Sequence, residues 1–421
     1  MHCGLIIDLE PTKDRSHLVP TTRANKTEMP KLPATRLTRR NFLRLMLAAG
    51  AGLLAAEVLH SLDPGAWMTD PRISRNQSPA RFDRIKNIVF FIQENHSFDN
   101  LFASFPGTNS KSAGATCPDS LRRDPPHEHI NALEPDGATN SAARCSYTEA
   151  DIPNYWKVAR TFTLCDNYFS EMRGASHPNY LMMIAGQSPI IDTPLPSDVC
   201  PEFCLDIPVL PDRLDARGLT WRDYGGIFTS IQGLVGRPEV MDYRDEQFFT
   251  DAERGSLPQV AWLNSGFLTD GDARSGHPPA SLCGGENYAA SVLNAVMKSP
   301  QWPTTALFLV WDDWGGFYDH VEPPVVEWGE DGTPLRYGHR VPCIVVSPYA
   351  RAGHVSHALH SHVSLLHFAE TIFDLEPLTE RDAGASNLLD CFAFDQPPLL
   401  PIELEMRSCA QSVSRDSDTR I

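Results

Sequence analysis

The chain predicts an α/β fold, with a mostly parallel central sheet covered by helices on both faces. Three observations predict it. Ile85-Lys86-Asn87-Ile88-Val89-Phe90-Phe91-Ile92 and Ala306-Leu307-Phe308-Leu309-Val310-Trp311 read as short strands buried on both faces. Strand-like and helix-like segments alternate between and beyond them. Both runs end in acidic residues, at the carboxyl edge where open parallel sheets place their ligand sites.

The N-terminus comes first. Thr38-Arg39-Arg40-Asn41-Phe42-Leu43-Arg44 is a twin-arginine pattern, followed by an apolar run from Leu45 to Leu59 broken only by Gly50, Gly52 and Glu57. It resembles a Tat export signal, read by the Tat export machinery of the bacterial membrane. The expected location is therefore extracellular, periplasmic or cell-surface. The run is short for a membrane span and no clean Ala-x-Ala site follows it, so cleavage and retention as an anchor both stay open. Met29 is an alternative start. The expected layout is a signal region over 1–60, a linker over 61–81, the main domain over 82–400 and a polar, frayed tail over 401–421.

Within the main domain, the first strand precedes a stretch without periodicity, Gly107 to Ser146, which reads as a long excursion loop. Glu149 to Arg160 reads as a helix, Pro211 to Arg217 as another, and Leu219 to Tyr224 as a strand. Val260 to Leu263 is a further strand. Ala290, Leu293 and Val296 give Glu286 to Met297 a helical spacing ahead of the Ala306 strand. Val341 to Val346 is the next strand, and Ser361 to Phe373 the last clear helix.

Composition narrows the function. At 421 residues, 42% of them hydrophobic and 21% charged, the chain is globular in character. A formal net charge of -17 argues against nucleic-acid binding, which needs clustered Lys and Arg. Among ten cysteines, Cys117 with Cys145 and Cys200 with Cys204 are the loop-placed disulfide candidates, whereas Cys165 and Cys343 sit in apolar segments as buried thiols. Loss of Cys3 with the signal leaves nine, so at least one is free.

The two strand ends carry the chemistry. Glu94 and Asn95 close the first strand, and Asp312 and Asp313 close the second. Adjacent carboxylates leaving a buried strand repel each other and lose hydration, which a cation relieves. The donors are all oxygen, so one hard divalent ion (Ca, Mg or Mn, with Zn possible) suits them best. A nucleophile is offered by Arg173-Gly174-Ala175-Ser176-His177-Pro178-Asn179-Tyr180, where Pro178 is placed to open a helix and Ser176 stands at its N-terminus. Alone, such a serine is usually a helix cap and Asp-Asp a solvated turn.

The combination resembles a known family. Lys86-Asn-Ile-Val-Phe-Phe-Ile-Gln-Glu-Asn-His-Ser-Phe-Asp99 is similar to the opening motif of the bacterial phosphoesterase family, which contains acid phosphatases and phosphatidylcholine-type phospholipases C. Thr163 to Ser170 with Gly174 to Tyr180, His277-Pro-Pro, Gly285-Glu-Asn287, and Trp311 to Val321 match later blocks in the same order. The resemblance spans Phe82 to Phe394. It implies an alkaline-phosphatase-like fold with one metal held by Glu94, Asn95, Ser176, Asp312 and Asp313. Ser176 would be the nucleophile, and His127 and His277 fall where the family places groups near the phosphate. His320 lies seven residues past Asp313 in the same loop, and each of the three could act as an acid or charge stabiliser. His354, His357, His360, His362 and His367 resemble a second metal cluster by number, but flanking and capping the last helix is the plainer role.

Two departures stand out. Many phospholipase C members carry Thr at the nucleophile and Arg after Pro-Asn, where this chain has Ser176 and Tyr180. Such members often add C-terminal domains as well. Both tilt the expectation toward an exported acid-phosphatase-like phosphoric ester hydrolase working through a phosphoseryl intermediate. A phospholipase C acting on phospholipids is the alternative, and a non-catalytic, metal-stabilised surface binding protein is the reading from another class. Oligomeric state stays open.

Overall fold

A strand buried on both faces needs a large apolar side chain at successive positions, and Asn87–Gln93 supplies Ile, Val and Phe with no glycine or proline between them. It forms β1, buried at every residue. The computed structural model describes residues 79–133, 144–193, 205–240, 245–266, 270–328 and 332–409. The further strands are β2 (Thr163–Cys165), β3 (Tyr168–Phe169), β4 (Trp221–Asp223), β5 (Val260–Asn264), β6 (Thr305–Trp311), β7 (Val325–Trp328), β8 (Pro334–Arg336), β9 (Cys343–Val346), β10 (His354–Ser356) and β11 (His360–Ser361). The twin-arginine pattern and the apolar run after it lie outside the described residues, as do Cys200 and Cys204.

Seven strands form one sheet in the order β10-β2-β9-β6-β1-β5-β4. β1 pairs parallel with β5 on one side and β6 on the other, with Gln93 opposite Trp311. The two acidic strand ends therefore leave the sheet side by side. β2 pairs parallel with β10, and β4 with β5. β9 runs antiparallel to both its neighbours, β2 and β6. The sheet is thus mixed and mostly parallel, as the sequence predicts. The direction of β9 could not be read, because a run such as Cys343–Val346, buried on both faces, looks the same either way.

The principal helices are α1 (Phe98–Phe102), α2 (Pro153–Thr161), α3 (Ser176–Ala185), α4 (Leu210–Ala216), α5 (Glu246–Arg254), α6 (Leu282–Lys298) and α7 (Val363–Phe373). Ser97 caps α1 by accepting from Asn100 N, and Ser281 caps α6 by accepting from Gly284 N. Proline opens α2, as its preset φ favours. α6 packs on α2 and α5, and α7 packs on α3. Among the described residues, no helix is long and apolar enough to cross a membrane.

The expected excursion loop is largely irregular, but it contains the short helix His129–Ala132 and is closed by the Cys117–Cys145 disulfide and a bridge between Thr116 and Ser146. The frayed tail is corrected over its first part. Leu404 is buried, Asn287 Nδ2 donates to Arg407 O, and Cys409 is bonded to Cys283 on α6, so the chain is fastened to Cys409. Cys165 and Cys343 are buried free thiols as expected, joined by Cys391.

Candidate active site

Four features of the backbone build the site. The β1–β6 ladder continues past the strands through Asp312 N donating to Gln93 O (3.1 Å) and His96 N donating to Asp313 O (3.1 Å). Asn95 then turns sharply, with φ 57, a left-handed conformation that asparagine tolerates better than most residues. Its backbone N–H donates to Asp312 Oδ1 at 2.9 Å. Gly315 and Gly266 press against the two acidic ends: a Cβ on Gly315 would lie 2.4 Å from Asn95 O, and one on Gly266 would lie 1.9 Å from Glu94 Oε1. At Gly315 the clash is with backbone and φ is positive, so only glycine fits; at Gly266 a side chain would displace the Glu94 carboxylate.

Ser176 reaches these ends from another direction. It is the first residue of α3, and the preceding loop is braced by Asn179, whose Oδ1 accepts from Glu171 N and Met172 N and whose Nδ2 donates to Ala175 O. The Ser176 hydroxyl lies 3.1 Å from Asp313 Oδ2, 3.4 Å from Glu94 Oε2 and 3.5 Å from Asn95 Oδ1. Five residues expected to meet, Glu94, Asn95, Ser176, Asp312 and Asp313, are thus in one cluster.

The electrostatics of this cluster are one-sided. Glu94, Asp312 and Asp313 are all buried. Burial first, and the Asp312 charge next, push the Glu94 and Asp313 carboxyls well above the usual carboxylate range. Among the described residues, no cationic side chain is a leading influence on either group. Asp312 Oδ2 is buried without a hydrogen-bond partner. One orphaned carboxylate oxygen and an all-oxygen donor set fit a hard divalent cation, since buried charge of one sign is tolerable only when compensated. Tyr180, one turn into α3, donates to Glu94 Oε1. Burial pushes the Tyr180 phenol itself far up, which keeps it a donor.

His127 and His277 stand beside Asn95. His127 Nδ1 lies 2.8 Å from Pro125 O, and His277 Nδ1 lies 2.6 Å from Pro278 O. A nitrogen facing a carbonyl oxygen must carry the proton, so in each neutral ring Nε2 is the acceptor. Asn95 Nδ2 lies 3.1 Å from His127 Nε2 and 3.0 Å from His277 Nε2, so its two hydrogens are both used. The carboxamide orientation follows: Oδ1 faces Ser176 and Nδ2 faces the histidines. Asp124 joins them, with ligand atoms of all three within 4.8 Å.

His320 is placed elsewhere. Its Nδ1 bonds Asp99 Oδ2 at 2.6 Å and its Nε2 lies 3.2 Å from Asn109 Oδ1. Among the described residues, no hydrogen bond links it to the Ser176 cluster. Asp99 and Asp319 share the fully buried Arg340, so the second half of the Trp311 to Val321 motif braces the turn instead of lining the site. Of the five late histidines, His362 opens α7 and bonds Asp312 O through Nε2 at 2.6 Å, steadying the turn that carries Asp312 and Asp313.

Sequence reasoning missed Tyr180 as a partner of Glu94, along with Gly266, Asp99 and Arg340. Asp99 and Asp319 carried a signal, since both sit inside the acidic motifs. Tyr180 was visible only as a departure, and Gly266 had none.

The sequence matches the model of the phosphoesterase family over residues 123–376. It is 26% identical to phospholipase C A of Mycobacterium tuberculosis over 464 residues, covering 87% of this chain and 87% of that protein. It is 26% identical to a non-hemolytic phospholipase C of Pseudomonas aeruginosa, covering 86% of this chain and 64% of that protein. Among solved structures, a protein in the alkaline phosphatase superfamily from Vibrio parahaemolyticus is similar with a TM-score of 0.40 and 12% identity, over 74% of this chain and 71% of that one.

Proposed function

The chain belongs to the phosphoesterase family and is a phosphoric ester hydrolase, and from that premise we propose that it acts through Ser176 as a covalent nucleophile. The observation that carries this is the Ser176 hydroxyl at the N-terminus of α3, within 3.1 to 3.5 Å of oxygens of Glu94, Asn95 and Asp313. Glu94, Asn95, Asp312 and Asp313 would hold one divalent cation together with Ser176. When bound, such an ion neutralises the buried carboxylates and makes the serine hydroxyl more acidic.

The remaining work falls to the chain. Ser176 Oγ forms a bond to phosphorus as the bond to the leaving alkoxide breaks, giving a phosphoserine that water then hydrolyses. At the N-terminus of α3 the Ser176 N–H is left for the developing charge, since Pro178 has no N–H and that of His177 donates to Thr193 Oγ1. His127 and His277 hold Nε2 toward the same space, and each can bring a proton there once its ring is charged. His320 is held by Asp99 and Asn109, through which it acts on the fold.

Acid quench after brief exposure to substrate should leave a phosphate-sized mass increase on the peptide containing Ser176. Ser176→Ala should keep its fold and lose hydrolysis by several orders of magnitude. A variant with near wild-type turnover, and no adduct ever trapped in the parent, would sink the covalent route.

A second reading concerns substrate. Both relatives are named phospholipases C, which favours a phosphodiester of a phospholipid over a phosphomonoester. Turnover of p-nitrophenyl phosphorylcholine against p-nitrophenyl phosphate decides between them. The twin-arginine pattern at Arg39 and Arg40 supports export by the Tat route.

A further inference from the structure

Away from the acidic site, three separate parts of the chain bring sulfur and imidazole together in the core. Cys165 ends β2, His360 opens β11, and Cys391 closes the short turn Leu389–Cys391. Their ligand atoms all lie within 4.8 Å of one another, and all three residues are at most 1% exposed. Cys343, also fully buried and free, is the register partner of Cys165 across the β2–β9 ladder.

We propose that Cys165, His360 and Cys391 supply three ligands of a structural zinc site. Three features favour a metal. The Cys165 and Cys391 sulfurs are 3.6 Å apart. Tetrahedral zinc with bonds of about 2.3 Å sets its sulfurs about 3.8 Å apart, so the pair already stands close to that edge length. Next, among the described residues His360 Nδ1 is buried without a hydrogen-bond partner of ordinary geometry, and its ring interacts with the Cys391 thiol beside it. Last, the other ring nitrogen is held as metal-bound histidines usually are. His360 Nε2 lies 3.3 Å from Asp390 Oδ1 and 3.1 Å from Ser356 Oγ, and Ser356 Oγ donates to Asp390 Oδ2 at 2.5 Å.

The rival is a disulfide between Cys165 and Cys391. It would consume two thiols and leave His360 Nδ1 unexplained. Zinc uses all three donors of the group. Cysteine and imidazole also suit a softer ion than the all-oxygen cluster at Ser176 does, so the two sites should sort different metals. The zinc would pin the segment around Cys391 to β2, residues 226 apart in sequence.

The test is elemental analysis of the full-length chain, purified under reducing conditions and washed with a weak chelator. Wild type and Asp312→Ala should both retain stoichiometric zinc, and Cys391→Ser should lose it. Replacement by cobalt in the wild type should give thiolate-to-cobalt charge-transfer absorption, a readout that holds even if Cys391→Ser fails to fold. Wild type without zinc after loading, and with a cobalt spectrum of oxygen ligands alone, overturns the site. So does peptide mapping without reductant that finds Cys165 bonded to Cys391. Zinc lost in Asp312→Ala but kept in Cys391→Ser would place the ion in the acidic cluster and overturn it equally. None of these outcomes depends on whether Ser176 is the nucleophile.

Discussion

The Tyr180 phenol donates its proton to Glu94 Oε1, tying α3 to the end of β1 across 86 residues of sequence. The bond fixes which Glu94 oxygen is turned toward Ser176, since Oε2 is the one facing the serine hydroxyl. Tyr180→Phe keeps the ring and removes only the donor. Metal affinity should fall about 10- to 100-fold, as it does when a partner behind a metal ligand is lost. Hydrolysis should largely recover at saturating cation. A titration of activity against divalent ion reads this directly, and an unchanged midpoint would mean Glu94 needs no such support.

The crowding of Glu94, Asp312 and Asp313 costs stability when no cation is present. Asp313→Asn removes one buried negative charge, so the chelator-treated variant should melt a few °C higher than wild type, about 1 kcal/mol or more. The same variant should gain less from added divalent ion and hydrolyse little. Paired thermal melts with and without chelator give both quantities.

Three buried histidines make the fold sensitive to acid. Burial holds His96 at about 4, and His339 and His362 at about 3, each below the ordinary value. Their folded pKa values are depressed, so the unfolded chain takes up protons first as pH falls. Stability is full above pH 6.5 and declines between there and pH 3 to 4, by about 1.4 kcal/mol per pH unit for each ring. Urea midpoints at pH 7, 6 and 5 should fall in that order. His339→Phe, which keeps a ring stacked on Trp314, should make the decline shallower.

The Cys283–Cys409 bridge closes a span of 126 residues, and Cys117–Cys145 one of 28. Loop-closure entropy assigns about 5 and about 4 kcal/mol to them. Cys409→Ser should therefore lower the denaturation free energy by up to about 5 kcal/mol. Truncation after Pro401 should cost more, because Leu404 and the Arg407–Glu286 pair go with it. Chemical denaturation of the three proteins provides the comparison.

Replacing Arg39 and Arg40 by Lys should leave the precursor in the cytoplasm, because the Tat receptor reads the arginine pair. Normal export of that variant, seen by cell fractionation, would refute the targeting proposal.

What the sequence revealed followed from continuity along the chain. β1 and β6 were legible because apolar runs of that length have few alternatives, and Glu94, Asn95, Asp312 and Asp313 were legible because they end those runs. Ser176 was legible from the proline that follows it. β2 and β10 span three residues each, too few for a period to show. His320 is held by Asp99 and Asn109, which its place seven residues past Asp313 does not reveal. The turn after Asp313 carries it to Asp99 and Arg340. Cys409 was lost in a polar tail whose bond to Cys283 no local pattern announces.

Asn95 serves two neighbours with one amide. Its oxygen faces Ser176 and the proposed cation, and its two hydrogens are taken up by His127 and His277, where the phosphoryl group is expected. A cation drawing on the oxygen makes the N–H groups stronger donors, and an anion competing for the histidines frees those hydrogens. The two occupancies are therefore linked. By reciprocity, the factor by which bound cation changes phosphate affinity equals the factor by which bound phosphate changes cation affinity.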